Sequence, residues 1–334
     1  MDSAENLRRA FPAGARVADW RAPDGWTLRR MDWPQPDAVI SDWTAPDGWT
    51  CRKMDWSQPS GARIRGSLLF AGGRGDFIEK YLEAYGHWHA AGWNVTAFDW
   101  RGQGRSRGGI SGGNLLSFDI LIDDLAALIA DWRSSGGPHV AIGHSMGGHL
   151  LLRTLVEKKP ALDAAVLIAP MIRVNSAPLS PSLAPIVTEL MCLAGWRGAP
   201  VWKLPAEMAK PGSRREYFLT GSPERYADEL WWWEQEPEFN LGSPSWGWMR
   251  AAYRSAAAAF TPARLGGVDL PILLLGTDRD RLVSPDAIRA VAALLPKAEL
   301  NMYPAAGHEI LREADPVRLD ALARIDAFLE KHAR

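Results

Sequence analysis

Cysteine is scarce in this sequence, and several other features are missing. Only two cysteines, Cys51 and Cys192, occur in 334 residues, and they match no metal-binding or redox spacing. The longest uncharged apolar stretch, AAVLIAPMI, is too short to span a bilayer, and the first twenty residues lack the apolar core of a secretory signal. These absences predict a cytoplasmic protein without a bound metal.

Neither sign of charge is in excess. The 38 Lys and Arg residues nearly balance the 39 Asp and Glu residues, which leaves a net charge of -1. Such a chain has no overall field that would attract nucleic acid or an anionic membrane. No glycine-rich loop followed by Lys and Ser or Thr occurs, so nucleotide hydrolysis is unsupported and no cofactor is predicted.

Tryptophan is abundant instead, with 17 residues, partly because a segment is duplicated. DWRAPDGWTLRRMDWPQP begins at Asp19, and DWTAPDGWTCRKMDWSQP begins 23 residues later at Asp42. Each copy predicts a pair of strands around a Pro-Asp-Gly turn. The second copy leads into the apolar strand ARIRGSLLFAGG, so it is predicted to supply edge strands of a sheet. The first copy then belongs to an N-terminal extension, residues 1–40.

Beyond residue 60, short apolar strands alternate with helices. The strands are IRGSLLFA, WNVTAF, HVAIG, AAVLIAP, PILLLG and AELNMYP. This alternation predicts a mostly parallel sheet with helices on both faces, formed by residues 41–170 and 266–334. Residues 171–265 break the alternation and hold seven tryptophans. A stretch that long between two strands predicts an inserted helical cap.

The pattern G-x-S-x-G, typical of a nucleophilic serine, occurs three times, around Ser106, Ser111 and Ser145. The serine of such a site lies on a sharp turn from a strand into a helix. Ser145 alone directly follows a predicted strand and begins a helix, in VAIGHSMGGHL. It is therefore the predicted nucleophile, although serine at this position also suits a helix N-cap.

A nucleophilic serine needs a base and an acid that orients the base. Asp278 and Asp280 lie in GTDRDRLVSP, directly after the strand PILLLG. His308 lies in YPAAGHEI, directly after the strand AELNMY. The chain order Ser, Asp, His at the carboxyl ends of strands predicts a triad of Ser145, His308 and one of the two aspartates.

These motifs resemble those of the α/β-hydrolases of the lysophospholipase and monoacylglycerol lipase group, which includes serine aminopeptidase-like members. GHSMGG resembles the nucleophile elbow, FDWRGQGRS a loop of the group, GGRGDFIEKY its oxyanion loop, and GTDRDRLV and AAGHEIL its acid and base loops. The resemblance covers residue 42 to the end and implies the α/β-hydrolase fold. It favours Asp280 as the acid, because DRLV matches the group's D-x-x-V.

The resemblance also implies an oxyanion hole made by the backbone N–H groups of Met146 and Arg74. Many lipases of the group have His-Gly where this chain has Gly72 and Gly73, so the register of the second donor differs. In the predicted cap, Trp232 and Trp246 are expected to contact an acyl chain, with ordinary packing inside the cap as the alternative.

The predicted function is that of a serine esterase similar to lysophospholipases and monoacylglycerol lipases. Its partner would be a small amphiphilic ester, with at most transient contact to a membrane surface. An aminopeptidase or amidase is one alternative, because Glu234, Glu236 and Glu238 could bind a free amino terminus. A non-catalytic binding protein of the same fold is another, and the intact set of Ser, Asp and His argues against it.

Overall fold

An eight-stranded sheet forms the centre of the computed structural model, which describes residues 16–21, 27–32, 38–109, 113–115, 117–133, 137–202 and 210–333. A separate pair of strands precedes this sheet. In chain order the strands are β1 (Arg16–Arg21), β2 (Thr27–Asp32), β3 (Ala38–Thr44), β4 (Thr50–Trp56), β5 (Gly66–Ala71), β6 (Trp93–Phe98), β7 (His139–His144), β8 (Ala164–Ile168), β9 (Ile272–Thr277) and β10 (Ala298–Tyr303).

The strands of the large sheet have the order β10-β9-β8-β7-β5-β6-β4-β3. All neighbours from β10 to β6 are parallel, whereas β4 runs antiparallel to β6 and β3 antiparallel to β4. The parallel strands are apolar along most of their length because helices cover both faces of the sheet. The predicted fold class is therefore confirmed.

The described helices connect these strands and flank the sheet. They are α1 (Leu82–Ala90), α2 (Asp119–Trp132), α3 (Met146–Glu157), α4 (Leu183–Leu193), α5 (Arg214–Leu219), α6 (Pro223–Gln235), α7 (Trp246–Ala259), α8 (Pro262–Leu265), α9 (Pro285–Leu294) and α10 (Asp315–His332). In the described part of the chain, no helix is both long and apolar enough to cross a membrane.

Two apolar cores lie on opposite faces of the sheet, because side chains alternate along each strand. On β5, Leu68 and Phe70 belong to the core that includes residues of α1 and α10. The intervening Leu69 belongs to the other core, with residues of α2, α3 and α9. The sheet therefore lies between two helical layers, and the carboxyl ends of its parallel strands meet at one edge.

The two copies of the duplicated segment have different places. Among the described residues, strands β1 and β2 of the first copy pair antiparallel with each other and with no other strand. Strands β3 and β4 of the second copy form the antiparallel edge of the large sheet. The strand pairs predicted for both copies are present, and the edge position predicted for the second copy is the one observed.

Helices α4 to α8 occupy the interval between β8 and β9, where the sequence predicts a cap. Helix α7 belongs to the core that contains residues of α2 and α3, since Trp248, Met249 and Ala252 pack within that core. Helix α4 instead exposes a row of large apolar side chains: Leu183, Ile186, Leu190 and Leu193. The division into core and cap stays a prediction.

Candidate active site

Ser145 lies at a sharp turn between β7, which ends at His144, and α3, which begins at Met146. Its backbone has φ 51° and ψ −114°, a conformation that residues with side chains rarely adopt. The turn is tight because a Cβ on Gly147 would lie 2.1 Å from the carbonyl oxygen of Ala71. Glycine at this position lets α3 start against β5 and leaves the Ser145 side chain partly exposed at the sheet edge.

His308 and Asp280 lie next to Ser145 in a hydrogen-bonded row. The Nε2 atom of His308 is 2.8 Å from Ser145 Oγ, and its Nδ1 atom is 2.7 Å from Asp280 Oδ2. The second carboxylate oxygen of Asp280 accepts hydrogen bonds from the backbone N–H groups of Leu282 (2.8 Å) and Val283 (2.9 Å). The carboxylate is thereby fixed toward the imidazole.

The electrostatics of this row affect the histidine. His308 and Asp280 are 3% and 4% exposed. Burial alone would lower the pKa of His308, but the charge and hydrogen bond of Asp280 outweigh it and raise the pKa above its ordinary value. The contact with Asp280 therefore stabilises the protonated imidazole more than water would.

Asp278, the other candidate acid, has different surroundings. It is exposed and forms an ion pair with Arg289 on the surface. Its backbone N–H donates to the carbonyl of Tyr303 at 2.9 Å, which joins the ends of β9 and β10. The structure thus brings Asp280, and not Asp278, to His308.

Ser106, from another of the three G-x-S-x-G matches, has different surroundings from Ser145. Ser106 is 2% exposed, and its hydroxyl accepts a hydrogen bond from the backbone N–H of Arg52 at 2.7 Å. That contact fastens the loop after β6 to strand β4. Ser111 lies outside the described residues.

Two segments that are predicted to carry oxyanion donors lie beside Ser145. Met146 begins α3, so its N–H has no acceptor within the helix. Gly73 approaches from the loop after β5, and a Cβ there would lie 3.1 Å from Ser145 Cβ. Arg74 follows Gly73. Its guanidinium lies over the Trp248 ring at 5.2 Å, Nη1 donates to the carbonyl of Gly242 at 2.9 Å, and burial lowers its pKa to about 9.

A buried polar cluster below this loop was not recognised from the sequence. Asp76 Oδ2 accepts from the backbone N–H of Gly73 at 2.5 Å and lies 2.9 Å from His144 Nδ1, while Tyr81 donates to the same oxygen at 3.2 Å. Burial alone would raise the pKa of Asp76, but the Lys80 ammonium and the His144 hydrogen bond hold it well below its usual range. This carboxylate fixes the loop after β5.

Lys80 extends the cluster to helix α6 and to the loop of His308. Its buried ammonium lies 2.8 Å from Asp76, 2.7 Å from Glu309 and 3.2 Å from Glu229 on α6. The loop is held from a second side, because the backbone N–H of His308 donates to the carbonyl of Phe218 on α5 at 3.0 Å. Helices between β8 and β9 thus hold the loop that carries the histidine.

The two tryptophans predicted to contact substrate differ in exposure. Trp232 is 1% exposed and packs against Trp231, with ring centroids 4.8 Å apart, and near Phe239. Its ring is therefore enclosed by protein and is not accessible to a ligand. Trp246 begins α7 and is partly exposed.

The three acidic residues that would suit an aminopeptidase differ in their partners and their exposure. Glu236 accepts from Arg105 at 2.5 Å and is thus already engaged, while Glu234 and Glu238 are exposed. Within the described ranges, no group of three or more His, Cys, Asp or Glu side chains is arranged to hold a metal ion.

The strand order, the antiparallel β4 and the serine on a strained strand-to-helix turn beyond the sheet define an α/β-hydrolase. More closely, the chain belongs to the family described as serine aminopeptidase, S33, whose sequence profile matches residues 62–315. The family membership expected from the motifs is confirmed.

Several proteins of known name or structure are similar to this chain. Lysophospholipase L2 of Escherichia coli (strain K12) is 28% identical over 281 residues, covering 78% of this chain and 79% of that protein. Monoacylglycerol lipase of Mycolicibacterium smegmatis is 26% identical over 262 residues, covering 75% and 84%. A monoglyceride lipase structure from Saccharomyces cerevisiae superposes with a TM-score of 0.69 at 18% identity, covering 89% and 97%. The predicted enzyme class, a carboxylic ester hydrolase similar to these proteins, is confirmed.

Proposed function

We propose that this protein hydrolyses the carboxylic esters of single-chain amphiphiles through Ser145, His308 and Asp280. The row of hydrogen bonds from Ser145 Oγ through His308 to Asp280 supports the proposal most strongly. A serine hydroxyl is a weak nucleophile at its ordinary pKa and becomes effective when an adjacent base accepts its proton. The observed distances are within the reach needed for that transfer.

The reaction begins when Ser145 Oγ attacks the ester carbonyl carbon and its proton passes to His308 Nε2. The carbonyl oxygen becomes an oxyanion, held by the backbone N–H groups of Met146 and Arg74. The imidazolium, stabilised by Asp280, gives its proton to the alcohol oxygen as the carbon–oxygen bond breaks. A water molecule, deprotonated by the same imidazole, then attacks the acyl-enzyme and releases the fatty acid and free Ser145.

The substrate class rests on similarity and on the apolar surface of the inserted helices. The related proteins named above are a lysophospholipase and a monoacylglycerol lipase, and both names denote esters with one acyl chain. Among the large side chains of the inserted segment, Ile186, Leu190 and Trp196 are 56%, 59% and 57% exposed. Exposed apolar surface of this kind suits contact with an amphiphile or its aggregates.

A fluorophosphonate probe and a p-nitrophenyl ester test the nucleophile. Ser145→Ala should lose probe labelling and at least roughly 10³-fold in kcat, because removing one triad member leaves only residual catalysis. Ser106→Ala is the matched control from the same sequence pattern and should keep both labelling and kcat. Circular dichroism would show that each variant is folded. Labelling that survives in Ser145→Ala would refute the assignment of the nucleophile.

An aminopeptidase is the second candidate, because the family description itself names that activity. The same triad would then attack an amide, and an acidic group would bind the free amino terminus of the substrate. Turnover of p-nitrophenyl esters and of aminoacyl p-nitroanilides should be compared under identical conditions. Preference for the anilides would replace the esterase proposal, and it would leave the assignment of Ser145 intact.

A further inference from the structure

The second copy of the duplicated segment is anchored to the core by a buried arginine. Arg52 donates to both carboxylate oxygens of Glu79, at 2.6 and 2.8 Å, and to Asp99 at 2.8 Å. Its backbone N–H also donates to Ser106 Oγ. Without this cation, the buried carboxylates of Glu79 and Asp99 would lose an ion-pair partner.

The turn and the end of the same copy add further contacts. Asp47 accepts two hydrogen bonds from Arg101, at 2.8 and 2.7 Å, and the Trp49 ring lies 5.0 Å from the same guanidinium. The side-chain amide of Gln58 donates to the carbonyl of His89 at 2.7 Å. The second copy therefore fits a surface of the core that recognises its side chains individually.

Each of these anchoring side chains has an identical counterpart in the first copy. Asp24, Trp26, Arg29 and Gln35 stand 23 residues before Asp47, Trp49, Arg52 and Gln58. Residues 19–36 and 42–59 differ at four paired positions, which are Arg21 and Thr44, Leu28 and Cys51, Arg30 and Lys53, and Pro34 and Ser57. The core surface thus meets the same recognition groups in either copy.

We propose that this surface of the core is a binding site for either copy, and that residues 19–36 exchange with residues 42–59 on it. The exchange loses little stability, because in the described part of the chain β1 and β2 pair with each other alone. An isolated two-stranded sheet is only marginally stable. The competing segment lies in the same chain, so its effective concentration is far above that of a second molecule.

Two features explain why the second copy holds the site in the structure. Cys51 is 3% exposed, and the larger Leu28 at the equivalent position would crowd its pocket. If the first copy were docked, the connection to β5 would also lengthen, from residues 60–65 to residues 37–65. This lengthening disfavours the first copy only slightly, because loop closure becomes less favourable slowly with length. The first copy therefore occupies the site in a minority of molecules. A single substitution that weakens the second copy would make the first copy the major occupant.

Cys51 reports which copy is bound, because leucine replaces it in the first copy. In a chain carrying Cys192→Ser, Cys51 is the only thiol. Burial raises its pKa to about 12, so it is protected while the second copy is docked. Its rate of reaction with 5,5′-dithiobis(2-nitrobenzoate) therefore measures the release of that copy.

The decisive experiment measures two quantities, the reaction rate of the Cys51 thiol and the midpoint of thermal unfolding, Tm. It compares four full-length variants that also carry Cys192→Ser. Arg52→Ala should shift occupancy to the first copy, so Cys51 reacts at least ~10-fold faster while Tm stays within about 3 °C. Arg29→Ala alone should leave Tm unchanged. In Arg29→Ala/Arg52→Ala no copy supplies the buried cation, and Tm should fall by about a further 10 °C.

Arg30→Ala/Arg52→Ala is the matched control, since Arg30 corresponds to Lys53, whose ion pair with Asp55 is partly exposed. Its Tm should equal that of Arg52→Ala. Equal Tm values for Arg52→Ala and Arg29→Ala/Arg52→Ala would overturn the proposal. So would a Cys51 thiol that stays as slow in Arg52→Ala as in the parent chain.

Discussion

Asp280 and Asp278 are separated by one residue, and the roles proposed for them differ because only one carboxylate reaches the imidazole. Asp280→Asn should lower kcat roughly 10³-fold or more, because the amide cannot stabilise the imidazolium or hold its tautomer. Asp278→Asn should stay within about threefold, since it removes only an exposed ion pair. Steady-state kinetics on one p-nitrophenyl ester compares them, and a larger loss in Asp278→Asn would reverse the assignment.

The pH dependence of activity follows from the same contact. His308 must be neutral to accept the Ser145 proton, so activity rises as pH passes upward through its pKa. Because Asp280 raises that pKa above the ordinary 6.5, the acid limb of kcat/KM should have its midpoint above about 6.5. In Asp280→Asn the limb of the residual activity should move to lower pH. A limb that stays in place would mean that another group controls it.

The loop between β5 and α1 carries Arg74, one of the two proposed oxyanion donors, and its Gly73 lies beside Ser145. A Cβ on Gly73 would lie 2.9 Å from Asp76 Oδ2, 3.0 Å from His144 Nδ1 and 3.1 Å from Ser145 Cβ. Gly73→Ala should therefore displace the loop and lower kcat at least roughly tenfold with little change in KM, since these donors act on the transition state.

Gly109→Ala is the control for this substitution, because a Cβ there meets no atom within 4 Å. It should leave both kinetic constants unchanged. An unchanged kcat in Gly73→Ala, measured on the same ester, would mean that the loop contributes no donor to the transition state.

The sequence signals that predict the candidate site are local. Ser145 directly follows β7, and Asp280 and His308 lie in the loops after β9 and β10. The carboxyl ends of parallel strands meet at one edge of a sheet, so three local patterns predict one site. The order of the strands was not predictable in this way, because pairing between distant segments leaves no local pattern.

The buried cluster around Lys80 shows why other parts of the site were missed. Its carboxylates, Asp76, Glu229 and Glu309, come from three distant segments, and each is an ordinary acidic residue in its own surroundings. The burial of Trp232 was hidden for a related reason. Its helix face carries Arg225 and Glu229, which are charged and yet 7% and 1% exposed, so no apolar periodicity marks the face as buried.

At the scale of the whole molecule, ion pairs connect helices α5 and α6 to Lys80 near the proposed active site. Arg215 on α5 pairs with Glu229 on α6 at 2.8 Å, and Glu229 in turn contacts Lys80 next to the oxyanion loop. The chain therefore holds its proposed donors, its histidine loop and its inserted helices through one buried network.

The dependence of activity on acyl-chain length tests the function of the whole molecule. For monomeric p-nitrophenyl esters, kcat/KM should rise from acetyl to at least decanoyl, because each methylene buried in the transition state contributes about 0.8 kcal/mol, at most roughly fourfold in rate. Trp246→Ala should flatten the rise and leave acetyl ester turnover nearly unchanged, because a short chain would not reach α7. Trp202→Ala, at a 50% exposed ring of the inserted segment, is the control and should keep the wild-type profile. A flat or falling profile in the wild-type protein would instead indicate a small ester or aminoacyl substrate, with Ser145 still the nucleophile.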